Sequence, residues 1–142
     1  MVDIGFPPFD TTIDKTNHVL KQIETALGWS KDQRNLSYHA LRSVLHALRD
    51  RLPVDEAAQL AAQLPLLIRG IYYEGWDPSR VPMKLNRDQF FERIRREFPY
   101  EVEGGPERLA QTVLRALREY VTDGEWRDLK STLPSDLAGV LP

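Results

Sequence analysis

Several features that are common in other chains are missing from this sequence. Its 142 residues include no cysteine, which excludes disulfides, thiolate nucleophiles and zinc sites built on sulfur. No run of about 18 apolar residues, the length of a transmembrane helix, occurs in it. The opening residues, MVDIGFPPFD, also lack the basic region and the apolar stretch of a secretory leader. We therefore expect a cytoplasmic protein without a membrane-spanning segment.

The net charge is small, and the sequence has only three histidines. The formal net charge is −2, so the chain has no general attraction for nucleic acid or anionic lipid. The histidines His18, His39 and His46 lack the HExxH or carboxylate-rich spacing of metal sites. Glycine-rich phosphate loops and nucleophile elbows are absent too. The sequence therefore predicts no metal and no cofactor, disfavours a nucleic-acid partner, and favours a non-enzymatic function.

Helical periodicity dominates what is present. A first helix is predicted from a cap at Asp10 or Thr11 to a stop at Gly28, and a second helix ends at Pro53. A short third helix follows, and the run LLIRGIYY is predicted to form a fourth helix after Pro65. The apolar positions assigned to the core of the first two helices are Ile13, Leu20, Ile23, Leu27, Leu41, Val44, Leu45, Leu48 and Leu52. The polar positions of the second helix expected to face away are Arg42, His46, Arg49 and Asp50.

The second half of the chain repeats this pattern, beginning with a helix capped by Asn86 or Asp88. Residues 44–73 align with residues 113–142 under a shift of 69 positions without a gap, and the first helices align under a shift of 71. Aligned pairs of the same residue type include Val44 and Val113, Leu48 and Leu117, Glu56 and Glu125, Pro65 and Pro134, and Gly70 and Gly139. The sequence thus predicts an all-α fold, one compact domain (1–142) of two tandem four-helix repeats, 11–74 and 86–142, joined by a connector, 75–85.

The repeat also predicts where individual positions lie. His46 aligns with Arg115, which indicates an exposed polar position. Leu66 and Leu67 align with Ser135 and Asp136, so the fourth helix of the first copy carries extra apolar surface. We expect that surface to be covered at the contact between the two copies.

The block LRSVLHALRDRLPVDEAAQLAAQLP, the run LLIRGIYYEGWDP and the helix FFERIRREF together resemble the prokaryotic domain-of-unknown-function family numbered 2267. The resemblance covers nearly the whole chain, from about residue 11 to residue 141. It implies an all-helical bacterial protein and brings no catalytic residues with it. In organisation alone, the doubled helical repeat is also similar to the N-terminal domain of Clp-type chaperones, which receives adaptors and substrates.

The stretch IYYEGWDPSRVP carries the candidate site. It groups Tyr72, Tyr73, Trp76 and Arg80, and aromatic residues beside arginine are enriched at binding hot spots. The same aromatics would also serve to cover the seam between the copies. The leading hypothesis is a non-enzymatic module that binds a protein or peptide near the seam. The alternatives are an enzyme or small-ligand receptor with a pocket between the copies, and a homo-oligomer that packs through Leu66 and Leu67.

Overall fold

A computed structural model describes residues 5–142 of the chain, and every regular element in this range is helical. The all-α prediction is therefore confirmed. The helices are α1 (Pro7–Leu27), α2 (Arg34–Arg51), α3 (Val54–Gln63), α4 (Leu66–Tyr73), α5 (Arg87–Glu97), α6 (Gly105–Arg118), α7 (Asp123–Ser131) and α8 (Ser135–Ala138). Short 3-10 turns occupy Lys31–Gln33 and Pro78–Arg80.

None of the helices within 5–142 combines the length and the apolar character needed to cross a bilayer. The first four residues, on which the expectation of no secretory leader partly rests, lie outside the described range.

Helix α1 begins earlier than its polar residues suggest. Its first residue is Pro7, three residues before the expected cap at Asp10. Proline suits this position because the first amides of a helix have no intrahelical acceptor and its φ is already helical. The end of α1 is as predicted, because Gly28 adopts a left-handed φ of 73° and its N–H donates to the carbonyl of Glu24.

Capping explains where the second half of the chain starts. Of the two predicted caps, Asn86 is the one used: its Oδ1 accepts from the amide of Gln89 at 2.9 Å. In return, the Oε1 of Gln89 accepts from the amide of Asn86 at 2.9 Å. This reciprocal capping box satisfies two backbone donors that the helix itself leaves unpaired.

Helix α2 lies at the centre of the fold and packs on α1, α4, α5 and α6. All five apolar positions predicted for its core stripe are buried: Leu41, Val44, Leu45, Leu48 and Leu52. The expectation that its polar side faces away was wrong for three of the four residues, because His46, Arg49 and Asp50 are buried as well, whereas Arg42 is half-buried. The connector and α5 cover that side of α2, which gives the polar groups partners inside the protein.

Two apolar expectations were also wrong. Leu66 and Leu67 are exposed rather than covered by the second half of the chain. Helix α4 packs instead against α1 and α2, and the amide of Leu67 donates to the Oγ1 of Thr12 at 2.8 Å. Ile13, assigned to the core, is exposed because the buried positions of α1 begin only at Thr16.

The first and second halves also meet where α3 packs on α7. Leu60 and Leu129 are buried there, and the amide of Thr122 donates to the Oε1 of Gln63 at 2.8 Å. We call this contact the α3–α7 seam. The shift of 69 carries α3 onto positions 123–132, close to the observed bounds of α7. The tandem repeat itself stays a prediction from the sequence.

Candidate interaction surfaces

The end of α4 and the connector that follows it are fixed to α2 by hydrogen bonds. The Nη1 of Arg49 donates to the carbonyls of Tyr72 at 2.9 Å and Glu74 at 2.7 Å. In the connector, the amide of Met83 donates to the carbonyl of Asp50 at 2.7 Å. The aromatic residues at the end of α4 and the start of the connector are therefore held in place by the core helix.

The structure brings three of the four predicted site residues together in a row. The ring of Tyr73 lies 5.3 Å from that of Tyr72 and 5.2 Å from that of Trp76, measured between centroids. Tyr73 and Trp76 are half-buried, and Arg80 is exposed on the 3-10 turn. Tyr72 is fully buried, and its hydroxyl donates to the carbonyl of Ala57 at 2.9 Å. Tyr72 therefore supports the row from beneath and has no surface for a partner.

Trp76 is half-buried and carries an unsatisfied polar group. Its Nε1 is buried and has no hydrogen-bond acceptor among the described residues. A buried donor without an acceptor costs about 1–3 kcal/mol. A partner that supplied an acceptor through a small shift of the indole would recover part of that free energy.

A second surface lies on α1 and α4, and we call it the apolar surface. It consists of exposed large side chains: Phe6 (51% exposed), Phe9 (52%), Ile13 (37%), Leu66 (57%) and Leu67 (42%). Phe9, Ile13 and the two leucines line a shallow cavity of about 570 Å³ together with Gly70, Ile71 and Glu74. A methyl group added at Gly70 would meet no atom within 4 Å, so this part of the cavity is open.

Sequence reasoning missed the α1 half of the apolar surface. The expected helix start at Asp10 left Phe6 and Phe9 outside the helix, and Ile13 was assigned to the core. The signal that would have found it is the pair Pro7 and Pro8, which marks the first turn of a helix. With that start, Phe9 and Ile13 stand at positions i and i+4 and form an apolar pair ahead of the buried stripe.

Another cavity, of about 750 Å³, lies at the loop between α5 and α6. Its apolar lining includes Phe98 and the exposed Tyr100, and its charged lining includes Arg95, Glu101 and Glu103. All of its lining residues come from the second half of the chain. It therefore differs in place from the pocket between copies that the enzyme alternative requires.

The histidines occupy three different environments. The expectation that His46 is exposed was wrong: it is buried, and its Nε2 donates to the carbonyl of Ile71 at 2.7 Å. Burial lowers the pKa of His46, and the nearby guanidinium of Arg49 lowers it further. His18 is exposed beside Glu119, and His39 is half-buried. Residues 5–142 contain no group of three or more His, Asp or Glu side chains placed to hold a metal ion.

Comparison with known proteins gives one match. Residues 16–140 match the model of a family described as "Uncharacterized conserved protein (DUF2267)". The match covers most of the chain and confirms the resemblance drawn from the sequence. No curated protein matches the chain.

Proposed function

The chain belongs to the DUF2267 family, whose description names no activity, and we propose that it is a non-enzymatic module that binds another protein or a peptide. The apolar surface on α1 and α4 carries this proposal. Contiguous exposed apolar side chains on a protein surface mark interaction sites. Burying one leucine or phenylalanine that was exposed contributes about 1.5–3 kcal/mol. Several such side chains in one place supply the affinity of a specific contact even after the entropic cost of association.

The shape of the apolar surface favours a helical segment as the partner. Helices α1 and α4 border a shallow, open cavity, and Gly70 leaves room at its floor. Grooves of this kind accept the apolar face of an amphipathic helix, whose side chains at i, i+3 and i+4 fill them. We therefore propose a partner segment with an apolar helical face.

The connector residues extend the proposed contact. Glu74 lines the cavity on α4, and Trp76 follows it by two residues. In this proposal Tyr73, Trp76 and Arg80 touch the partner, and buried Tyr72 holds their backbone in place. A partner that runs along the apolar surface then reaches the row of aromatic rings.

The test replaces the two leucines by the residues that align with them in the second half of the chain. The double variant Leu66→Ser with Leu67→Asp removes two exposed apolar side chains, so we expect the fold to survive. Val54→Ser is the matched control, because Val54 is also exposed and lies on α3. A photo-reactive residue in place of Gly70 would cross-link the partner in host cells, and mass spectrometry would identify it.

We expect the cross-linked partner with the parent protein and with Val54→Ser, and at least a tenfold weaker signal with the double variant. An equal signal in the double variant would refute the use of the apolar surface. A cross-link between two copies of this chain would favour the alternative of a homo-oligomer. The exposure of Leu66 and Leu67 is the observation that supports that alternative, and the mass in solution would test it.

A further inference from the structure

Two glutamates face each other at the α3–α7 seam. Glu56 is in the first turn of α3 and is 7% exposed, and Glu125 is in the first turn of α7 and is 8% exposed. In each carboxyl group, Oε1 is buried and has no hydrogen-bond partner elsewhere among the described residues. The carboxyl group of Glu125 is close enough to that of Glu56 to raise the pKa of Glu56. They hold aligned positions under the shift of 69.

Two ionised carboxylates cannot satisfy each other's buried oxygens, because both can only accept a hydrogen bond. If one of the groups carries a proton, it can donate a hydrogen bond to the other and give both buried oxygens a partner. The surroundings favour this state, since the other charge that acts on Glu56 is that of Asp128, which is also negative. On α4, the group near Glu56 is the neutral phenol of Tyr72, whose hydroxyl donates a hydrogen bond to the carbonyl of Ala57.

We propose that Glu56 and Glu125 share one proton across the α3–α7 seam, and that loss of this proton loosens the seam. The shared proton stabilises the contact between the two halves of the chain in a pH-dependent way. Without it, two like charges stand against each other in a place that water reaches poorly. Another polar link across the seam is the hydrogen bond from the amide of Thr122 to Gln63.

The range of pH follows from the environment of Glu56. Burial, the hydrogen bond with Glu125 and the negative charges of Glu125 and Asp128 raise the pKa of Glu56 to about 7. An unfolded glutamate has a pKa of about 4.3. Since the folded state holds the proton more tightly, its stability is highest at low pH, falls as the pH rises between about 4.3 and 7, and is constant above that.

Trp126 offers a local reporter of the seam. It follows Glu125 in α7, is buried, and its Nε1 donates to the carbonyl of Pro142. A variant with Trp29→Phe and Trp76→Phe would leave Trp126 as the single tryptophan, which excitation at about 295 nm, at the red edge of tyrosine absorption, would select. If the seam loosens, the emission of Trp126 shifts to longer wavelength and iodide quenches it more strongly.

The decisive comparison uses Glu56→Gln, because glutamine keeps the shape of the side chain and donates to Glu125 at every pH. Glu125→Gln neutralises the pair from the opposite side and replaces the first variant if that one does not fold. Asp55→Asn is the matched control, since it removes one negative charge from an exposed neighbour on α3. The measurements are carboxyl-carbon NMR titration and amide-exchange protection factors at pH 6 and pH 8.5.

In the parent protein and in Asp55→Asn, we expect a carboxyl carbon that titrates near neutral pH. The protection factors of α3 and α7 amides should also fall at least tenfold between the two pH values. In Glu56→Gln or Glu125→Gln, both effects should disappear. The proposal is overturned if both glutamates titrate below pH 5, or if the loss of protection persists in the glutamine variants. It is also overturned if the loss is equal in all helices.

Discussion

Asp50 is the buried charge whose removal should destabilise the fold most. Its Oδ1 accepts from Arg49 Nε at 2.9 Å, and its Oδ2 accepts from Arg93 Nη2 at 2.6 Å. Arg49 belongs to α2 and Arg93 to α5, so this carboxylate joins the two halves of the chain. Asp50→Ala removes the only carboxylate that the structure places between these two guanidinium groups within residues 5–142.

The magnitude follows from what the substitution leaves behind. Breaking a buried ion pair by removing one partner costs about 3–5 kcal/mol, because an uncompensated charge remains inside. Arg49 is nearly fully buried and would keep only the carbonyls of Tyr72 and Glu74 as acceptors. For a chain of this length the loss corresponds to a melting temperature lower by about 10–15 °C.

The pH dependence of Asp50 gives an independent check. Burial alone would raise its pKa, but the hydrogen bonds and charges of Arg49 and Arg93 outweigh it, and the pKa is lowered. A lowered pKa adds stability above the unfolded value of about 3.9, and that stability is lost as the pH falls through the folded value. Acid should therefore narrow the difference between the parent protein and Asp50→Ala.

The assay is urea unfolding followed by far-ultraviolet circular dichroism at pH 7 and pH 3. Asp88→Ala is the control, because Asp88 is an exposed aspartate in the first turn of a helix. A loss below about 1 kcal/mol for Asp50→Ala at pH 7, or a loss equal to that of the control, would refute the reasoning.

Three further predictions concern single groups. Tyr72→Phe removes the hydroxyl that donates to Ala57 and leaves that carbonyl buried without it, so we expect urea unfolding to show a loss of about 1–3 kcal/mol. Asn86→Ala removes the cap of α5 and should lower the free energy of unfolding by about 1 kcal/mol. Asn17→Ala is the control at an exposed helix position and should lower it by less than about 0.5 kcal/mol, as is usual for surface substitutions. Glu56→Gln should stabilise the protein at pH 8 by about 3 kcal/mol and have a much smaller effect at pH 4, since a shift of one pKa unit corresponds to about 1.4 kcal/mol. Equal effects of Glu56→Gln at both pH values in urea unfolding would contradict the shared proton.

Periodicity predicted the core of α2 because burial of an apolar stripe is a local property of the sequence. Leu41, Leu45 and Leu48 repeat at helical spacing, and all three are buried. The burial of Arg49 and Asp50 was not predictable in the same way. Their partners lie at the end of α4 and on α5, far along the chain, and only the tertiary packing brings them close.

The two candidate surfaces also differ in whether the local sequence could predict them. Composition found the aromatic row, because Tyr73 and Trp76 are close in sequence and stay close in the structure. The apolar surface joins the first turns of α1 to α4, more than fifty residues apart, and Thr12 contacts Leu67 across that distance. An exposed leucine in a helix of otherwise apolar residues looks like a core leucine until the packing of that helix is known.

The glutamate pair depends on both kinds of information. Each residue alone has a local explanation, because a negative charge in the first turn of a helix is favourable. The predicted repeat makes Glu56 and Glu125 equivalent positions, and the packing of α3 on α7 makes equivalent positions neighbours. If both glutamates were ionised, their two negative charges would repel each other across the seam. A carboxyl pair removes this repulsion by keeping one proton. The next aligned pair, Ala57 and Trp126, avoids charge altogether, because both residues are apolar and buried although they differ in type.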